Sequence, residues 1–489
     1  MKTIPFDIPS NWTWTTMGEI ADVVGGGTPR TNDPENYEGG TIPWITPADL
    51  SGYNAKNISH GERFITTKGL AGSSAKMMPF GTVLFSSRAP VGYVAIAANP
   101  VCTNQGFKSF VLKTKDILPD YLYWWLKGSK DLAESLASGT TFLELSGAKA
   151  KQLPIPLAPP EQQQSIVAEI EKQFSRLDEG VANLKRVKAN LKRYKAAVLK
   201  AAVEGKLTED WRKQHPDVEP ASKLLERILT ERRIVWEQQQ LGIMRAAGKK
   251  PTSQSWKSKY QEPSPIEPGP LPPIPDSWSY TSAESVCRCV RDGTHDTPDY
   301  VLDGVPLITS KNLLSSGLDF EHVKLISRED LSEIARRSGV EHGDVLFAMI
   351  GTVGNPVVVE TDREFAIKNV GLFKGNRDFV VSRYLRYWFM SPQFARWLEP
   401  KQKGTTQKFV PLGLLRSLAI ALPPFTEQQM IVAEVERRLS VIEELEAAVQ
   451  ASLTRADRLR QSILSTAFSG RLAVSELEIA RRANKLIAH

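Results

Sequence analysis

Three cysteines among 489 residues, Cys102, Cys287 and Cys289, are too few for a disulfide framework. Cys287 and Cys289 stand one residue apart, too close for an easy bridge or a zinc knuckle. That scarcity points to a reducing, cytoplasmic setting. Long apolar runs are missing too. Stretches such as Val94–Ala98 and Val357–Val359 fall far short of the ~20 residues that cross a bilayer. The opening Met1-Lys2-Thr3-Ile4-Pro5-Phe6-Asp7 contains no apolar core of signal-peptide length. The six histidines, His60, His215, His295, His322, His342 and His489, show no metal-ligand spacing. Strong charge of one sign is also scarce. The net charge is +7 with a pI near 9.1, which permits a polyanionic partner without demanding one. Lys+Arg against Asp+Glu count 13 to 13 over residues 1–150 and 22 to 16 over 151–276. They count 18 to 17 over 277–417 and 9 to 9 over 418–489, so the excess lies in the middle.

What is present is a duplication. Residues 153–171, LPIPLAPPEQQQSIVAEIE, return 265 residues later as LAIALPPFTEQQMIVAEVE at 418–436, and 11 of these 19 positions are identical without gaps. Ordinary residue frequencies give about one. The same offset aligns Leu199–Leu207 with Leu464–Leu472. Each copy reads as a short strand with alternating apolar residues, a proline pair, and then a long helix. Thr426 with Gln429 fits a capping box at the second helix start, where the first copy has Glu161 in the threonine position. Apolar residues then step by three and four through Ile166, Ile170, Phe174, Leu177, Val181, Leu184, Leu191 and Val198. The second series runs through Ile431, Val435, Leu439, Ile442, Leu445, Val449, Leu453, Ala456, Leu459 and Ile463. Gly205 and Gly470 stand at the expected C-caps. Roughly 40 residues give a rod of ~60 Å, and such a seam wants a partner helix, the nearest being its own duplicate. Basic Lys185, Arg186, Lys188, Lys192, Arg193 and Lys195 against acidic Glu443, Glu444 and Glu446 favour that pairing over two helices packed separately.

The segments before the helices repeat more loosely. Ile8-Pro9-Ser10-Asn11-Trp12 matches Ile274-Pro275-Asp276-Ser277-Trp278, and Ile42-Pro43-Trp44-Ile45-Thr46 matches Val305-Pro306-Leu307-Ile308-Thr309. Gly81–Phe85 matches Gly343–Phe347, Tyr121–Trp125 matches Tyr384–Trp388, and Gly139-Thr140-Thr141 matches Gly404-Thr405-Thr406. The order holds while the residues between diverge, as expected of one fold reading two different things. A further helix is predicted over Ala221–Lys249, with Leu224, Leu225, Ile228 and Val235 on one side. Seven prolines between Pro263 and Pro275 follow it and read as a stiff extended tether.

These motifs in this order resemble the specificity (S) subunit of type I restriction–modification systems over almost the entire chain. The first globular segment resembles one subtype through Gly26-Gly27-Thr28-Pro29, Ile42–Ile45, Ser86–Gly92 and Asn104-Gln105. The second resembles another through Asp292–Pro298, Gly343–Leu346 and Ile350–Gly354. The resemblance implies a non-catalytic subunit that binds a bipartite double-stranded DNA target, one domain to each half-site. The paired helices would set the unread gap and dock two methyltransferase subunits, with restriction/translocase subunits joining for cleavage. No cofactor is expected in this chain; S-adenosylmethionine belongs to the partner methyltransferase.

Catalytic motifs fail on inspection. Leu422-Pro423-Pro424-Phe425 lacks the polar first residue of an aminomethyltransferase motif, and Gly242–Lys249 lacks phosphate-loop spacing. Gly25-Gly26-Gly27 reads as a chain turn and His295 as a polar turn residue. Trp124, Trp125, Trp388 and Trp397 read as core rather than base-stacking. Base and phosphate contacts need Arg, Lys, Asn, Gln, Ser and Thr on loops at one face. Candidates in the first domain are Arg30, Thr46, Lys76, Ser87, Arg88, Asn104, Gln105, Thr140 and Thr141. In the second they are Arg291, Lys311, Asn312, Lys368, Asn369, Lys403, Thr405, Thr406, Gln407 and Lys408. The basic run Lys185–Lys195 has three readings: phosphate contact, pairing with an acidic helix surface, or a solvated face.

The expected architecture is α+β with pseudo-two-fold duplication. Two globular mixed α/β target-recognition domains are separated by two long helices forming an antiparallel coiled coil. The segments are 1–157 for the first domain, 158–250 for the first long helix and spacer helix, and 251–275 for the linker. The second domain takes 276–422, and the second long helix with its tail takes 423–489. Helix pairing and partner docking are assigned to Ile166, Ile170, Leu177, Leu184, Leu191, Val198, Ile431, Val435, Ile442, Val449, Leu459 and Ile463. The alternative is a coiled-coil scaffold whose variable domains bind protein.

Overall fold

The computed structural model describes residues 6–139, 143–248, 250–251, 253–405 and 407–472. The chain divides into two compact units that do not follow chain order. One is Met1–Arg186 with Val449–His489, and the other is Val187–Ala448. Both divisions fall inside the two long helices, Pro160–Val203 and Phe425–Phe468. Each unit thus takes the start of one helix and the end of the other, as an antiparallel pair requires. At 44 residues each, the helices are ~66 Å long at 1.5 Å per residue.

The helix ends follow from local chemistry. Prolines occupy the entry, where a missing N–H costs nothing. Gly205 and Gly470 terminate them at φ +69 and +73, a region that penalises a Cβ. A Cβ would also collide with the ring of Pro275 at Gly205 and with that of Pro9 at Gly470. Each helix therefore stops against the proline that opens the globular part of its own unit.

The capping box at Thr426 and Gln429 does not form. The helix begins at Phe425, so Thr426 lies in its first turn, and both side chains are exposed. The repeated glutamine before it does the anchoring instead. Gln163 Oε1 accepts from the Leu118 N–H at 3.0 Å, and its Nε2 donates to the carbonyls of Asp116 and Ala158. Gln428 Oε1 accepts from the Val381 N–H at 2.9 Å, and its Nε2 donates to the carbonyls of Phe379 and Pro423. Both glutamines are buried, where unpaired amide groups would be costly.

The strand before each helix is held in the same way. Pro154–Leu157 pairs antiparallel with Thr13–Thr16, and Ala419–Leu422 with Ser279–Ser282, in one register: Thr13 opposite Leu157, Ser279 opposite Leu422. Tyr121 and Trp125 donate to the carbonyls of Pro156 and Pro154 at 2.6 and 2.9 Å. Tyr384 and Trp388 donate to those of Ala421 and Ala419 at 2.6 and 2.8 Å. Trp125, Trp388 and Trp397 are buried and Trp124 packs on Phe174, so the tryptophans are core, as expected.

In the first unit a five-stranded sheet runs Ala21–Gly25, Lys108–Leu112, Val83–Ser87, Val91–Ala97, Asn57–Ile58. A three-stranded sheet has Ile42–Ile45 between Arg63–Ile65 and Cys102–Thr103. In the second unit the larger sheet is Val290–Asp292, Val370–Phe373, Val345–Ala348, Gly354–Val358. Its smaller sheet has Val305–Ile308 between Lys324–Ile326 and Ala366–Ile367.

Among the pairing residues, Ile166, Ile170 and Ile463 join the first unit's core with Phe174, Leu464 and Phe468, and Leu177 packs at its edge. Leu191, Val198, Ile431, Val435, Ile442 and Val449 are buried and Leu184 is half-buried. Leu459 is an exception: it is 47% exposed, as is Leu445. Ala456 and Ile463, one heptad apart, hold the buried seam there, and Leu459 falls outside it. Charge pairing on the helices is narrower than expected. In the first unit Asp178 pairs with Arg460, whose guanidinium also lies 5.4 Å from the Phe174 ring centre. In the second unit, Lys192, Arg193 and Lys195 make no ion pair with Glu443, Glu444 or Glu446 among the described residues. These side chains form a largely solvated face.

The spacer helix spans Ala221–Ala246, with Leu224 and Ile228 buried but Val235 exposed. The proline-rich segment is extended but not free. It is pinned by Glu267 N–H to the Ser417 carbonyl at 2.9 Å, by Tyr280 to the Pro272 carbonyl at 2.7 Å, and by Ser264 to Glu284. No described helix is long and apolar enough to cross a membrane.

Candidate nucleic-acid interface

In the first unit several loops converge beyond the ends of the central strands. Gly26 lies so close to the Thr103 and Asn104 carbonyls that a Cβ would overlap them. The Gly27 N–H donates to the Thr103 carbonyl, and Trp44 Nε1 donates to the Gly27 carbonyl, both at 2.9 Å. The next residue, Thr28, donates its hydroxyl to the amide oxygen of Gln105. Asn104 is tied to the Ile45 carbonyl through its N–H at 3.0 Å, while its side-chain oxygen accepts from the Gly106 N–H at 2.9 Å. Arg88 leaves the adjacent strand and pairs with Glu144 at 3.6 Å, which also faces Lys108 at 3.9 Å. Burial lowers the Lys108 ammonium below its ordinary value, with Glu144 opposing the shift and Arg88 adding to it.

The second unit repeats this frame with different side chains. Gly293 abuts the Ile367 carbonyl as Gly26 abuts that of Thr103. The Thr294 N–H donates to the Ile367 carbonyl at 3.0 Å, and the Lys368 N–H to that of Ile308 at 2.9 Å. His295 places Nδ1 2.8 Å from Asn369 Oδ1 and Nε2 3.0 Å from Asp292 Oδ2. Asp292 is buried and also pairs with Arg337. The neighbouring loop matches too. Leu145 N–H donates to the Ser87 carbonyl as Val410 N–H donates to that of Met349, both at 2.9 Å. The Arg88 to Glu144 bridge has its counterpart in Ile350 to Phe409, and Ser138 to Glu144 in Lys403 to Phe409.

The sequence-derived candidates sort into three groups. Arg30, Lys76, Gln105, Lys311, Lys403, Thr405, Gln407 and Lys408 are exposed, and Arg88, Asn104, Arg291, Lys368 and Asn369 are half-buried. Two are corrected by burial. Ser87 spends its hydroxyl on the Gly106 carbonyl at 3.1 Å, and Asn312 takes the Thr309 N–H and hydroxyl at 3.0 and 2.8 Å. Thr46, half-buried, is likewise committed to Asp49, at 2.7 Å through both its N–H and its hydroxyl. These three are frame residues, because short polar side chains beside a turn bond their own backbone first. Thr140, Thr141 and Thr406 lie outside the described residues.

Sequence reasoning passed over Thr28, Glu144 and Asp292, and treated His295 as a turn residue. The letters themselves mislead. Matching Gly27-Thr28 to Gly293-Thr294 is off by one, because the backbone hydrogen bonds equate Gly26 with Gly293 and Thr28 with His295. Burial pushes the Cys102 thiol up to about 11 and raises those of Cys287 and Cys289.

Residues 9–193 match the family model described as type I restriction modification DNA specificity domain. The chain is 43% identical over 182 residues to the type I restriction enzyme MjaIX specificity subunit of Methanocaldococcus jannaschii, a match covering 37% of this chain and 40% of that relative. It is 24% identical over 476 residues to the EcoBI specificity subunit of Escherichia coli, covering 95% of this chain and 87% of the relative. Among solved structures, the HsdS subunit from Thermoanaerobacter tengcongensis superposes with a TM-score of 0.52 at 18% identity, over 96% of this chain and all of that one. A chain from a structure of type I R-M complex assembly and conformational transition reaches a TM-score of 0.66 at 18% identity, with the same coverage. Duplicated helices, duplicated frame and matched relatives agree: residues 9–193 match the type I restriction modification DNA specificity domain, and the chain as a whole is similar to type I restriction enzyme specificity subunits.

Proposed function

We infer that this chain is the non-catalytic DNA-recognition subunit of a type I restriction–modification complex, reading a bipartite target with one half-site to each unit. The observation that carries this is one backbone frame built twice around different solvent-accessible side chains, half-buried Thr28 and exposed Gln105 in one unit, exposed His295 and half-buried Asn369 in the other. Identical readers would suit a symmetric site, whereas divergent readers on one frame suit two different half-sites. The paired helices fix the separation of the half-sites and dock two methyltransferase subunits; restriction/translocase subunits join for cleavage. In this reading S-adenosylmethionine is bound by the methyltransferase, and the complex works in the cytoplasm, where genomic DNA lies. A scaffold whose variable domains bind protein is not favoured, since the matched family is one of DNA specificity domains.

The test is a map of modified bases in genomic DNA from cells with and without this gene, with the partner subunits expressed. One bipartite motif is expected to lose its methylation when the gene is removed. Retention of every such motif would refute the function.

A further inference from the structure

We propose that two hydrogen-bonded side-chain pairs, Thr28–Gln105 and His295–Asn369, determine the specificity of their respective half-sites. The assignment rests on the DNA-reading function proposed above and deepens it to named positions.

The two pairs are equivalent by backbone rather than by letter. In both units a glycine packs on the carbonyl of a short strand's last residue, Gly26 on Thr103 and Gly293 on Ile367. The next N–H donates to that same carbonyl, and the residue after it carries the first member of the pair. The second member sits on the turn leaving that strand. In the first unit Gln105 and Gly106 fill the turn between Asn104 and Phe107. In the second, Asn369 alone spans Lys368 to Val370, in the left-handed region at φ +54. Asparagine tolerates that conformation better than most residues. Main-chain hydrogen bonds hold both frames, so the pair side chains are not needed to build them.

Their chemistry suits base edges. Gln105 and His295 are exposed and Thr28 and Asn369 half-buried, so all four can be reached. In each pair the carboxamide oxygen faces its partner, the Thr28 hydroxyl or Nδ1 of the His295 ring, which donates to it when both ring nitrogens carry hydrogen and Nε2 donates to Asp292. The amide NH2 groups have no other partner among the described residues. A positioned NH2 donor with a spare lone pair on the oxygen is the group that reads base edges in a major groove. The partner changes from hydroxyl to imidazole between units, and because both ring nitrogens of His295 are engaged, with Asn369 and Asp292, His295 positions the carboxamide rather than offering a group of its own. Asp292, buried behind His295, fixes the ring that presents it.

The decisive variants keep size and shape. Gln105→Glu and Asn369→Asp each exchange the NH2 donor for a carboxylate oxygen, and aspartate also tolerates positive φ. Each would be purified in complex with the methyltransferase partners, with unfolding temperature checked against the parent. Binding would then be competed with duplexes carrying the mapped target or single-base substitutions within one half-site. Added negative charge weakens binding to every duplex alike, so the readout is discrimination rather than affinity. Q105E should lose on the order of tenfold to hundredfold in discrimination at one or two positions of one half-site, and N369D at the other half-site only. Thr28→Val and His295→Gln remove the orienting partner, the second together with one contact to Asp292, which keeps Arg337, and should give smaller losses at the same positions. They serve as the measurement should a carboxylate variant prove unstable. Unchanged discrimination in folded variants, or equal loss at both half-sites, overturns the assignment. A parent complex with no preference for a bipartite duplex overturns the DNA-reading function itself, and the assignment with it.

Discussion

At the start of the two long helices, one position has diverged while its neighbour has not. Gln163 and Gln428 make the same three hydrogen bonds in their respective units. Just before them stand Gln162 in the first unit and Glu427 in the second. Among the described residues, Gln162 accepts only from Trp12, at 2.7 Å, and is half-buried. Glu427 is fully buried and accepts from Trp278 at 2.9 Å, from Thr208 at 2.6 Å and from Arg212. The shared frame is thus held by neutral hydrogen bonds, and a charge appears only where a cation lies at hand to meet it. A buried carboxylate without such donors would be prohibitive.

Four measurements can break or sharpen that contrast. The largest effect is expected from Glu427→Ala, which leaves Arg212, Thr208 and Trp278 without their acceptor and should cost ~3 kcal/mol in denaturant unfolding. Gln162→Ala loses one bond and should cost ~1 kcal/mol; equal costs would show that the two junctions are not different in kind. Next, Gln163→Ala and Gln428→Ala each orphan one N–H and two carbonyls, so both should lower stability by ~2 kcal/mol. A twofold disparity between them would break the claim of a common frame.

Smaller still, Tyr121→Phe and Tyr384→Phe each remove one buried donor to a strand carbonyl. A matched loss of ~1 kcal/mol is expected, readable as a shift in thermal midpoint. The smallest effect lies on the helix surface. Glu434 meets Arg437 and Arg438, whereas its counterpart Glu169 meets Lys172 and Gln173. Arg437 first, and then Arg438, hold the Glu434 carboxyl down at about 2. A folded value below the unfolded one means the pair contributes above ~4.3 and loses that contribution as pH falls towards 2. Glu434→Gln should therefore cost ~0.5 kcal/mol at neutral pH, more than Glu169→Gln there, and the cost should vanish as pH falls through 2. An urea-unfolding series against pH would settle the order.

Much of the architecture was legible in the amino-acid sequence because helices write themselves in periodicity. The two helices, their glycine caps and the core tryptophans all came from spacing alone. What was not legible depends on which groups a fold brings near one another. Gln163 and Gln428 look like any polar residue in a helix's first turn, and only the loop at 116–118 or 379–381 gives them a purpose. Thr426 was credited with a cap, but the helix begins one residue earlier, at Phe425, which puts Thr426 inside the first turn. In the candidate interface, residue type was a poor guide for Ser87, Thr46 and Asn312, whose polar atoms are claimed by neighbouring backbone. Thr28 and His295 were not linked at all, because their equivalence lies in backbone hydrogen bonds rather than in letters. Charge counts gave no help there, since both globular segments are close to neutral.

The separation of frame from side chain bears on how such a protein changes over generations. Thr28, Gln105, His295 and Asn369 stand on backbone held by main-chain bonds, so replacing them removes little that folding needs. Positions of this kind can drift at low cost to stability, unlike buried ones such as Gln428. Each pair also lies within its own unit, so a change in one carries little energetic echo in the other. A lineage could therefore alter half of its recognised address in a single step and keep the other half intact.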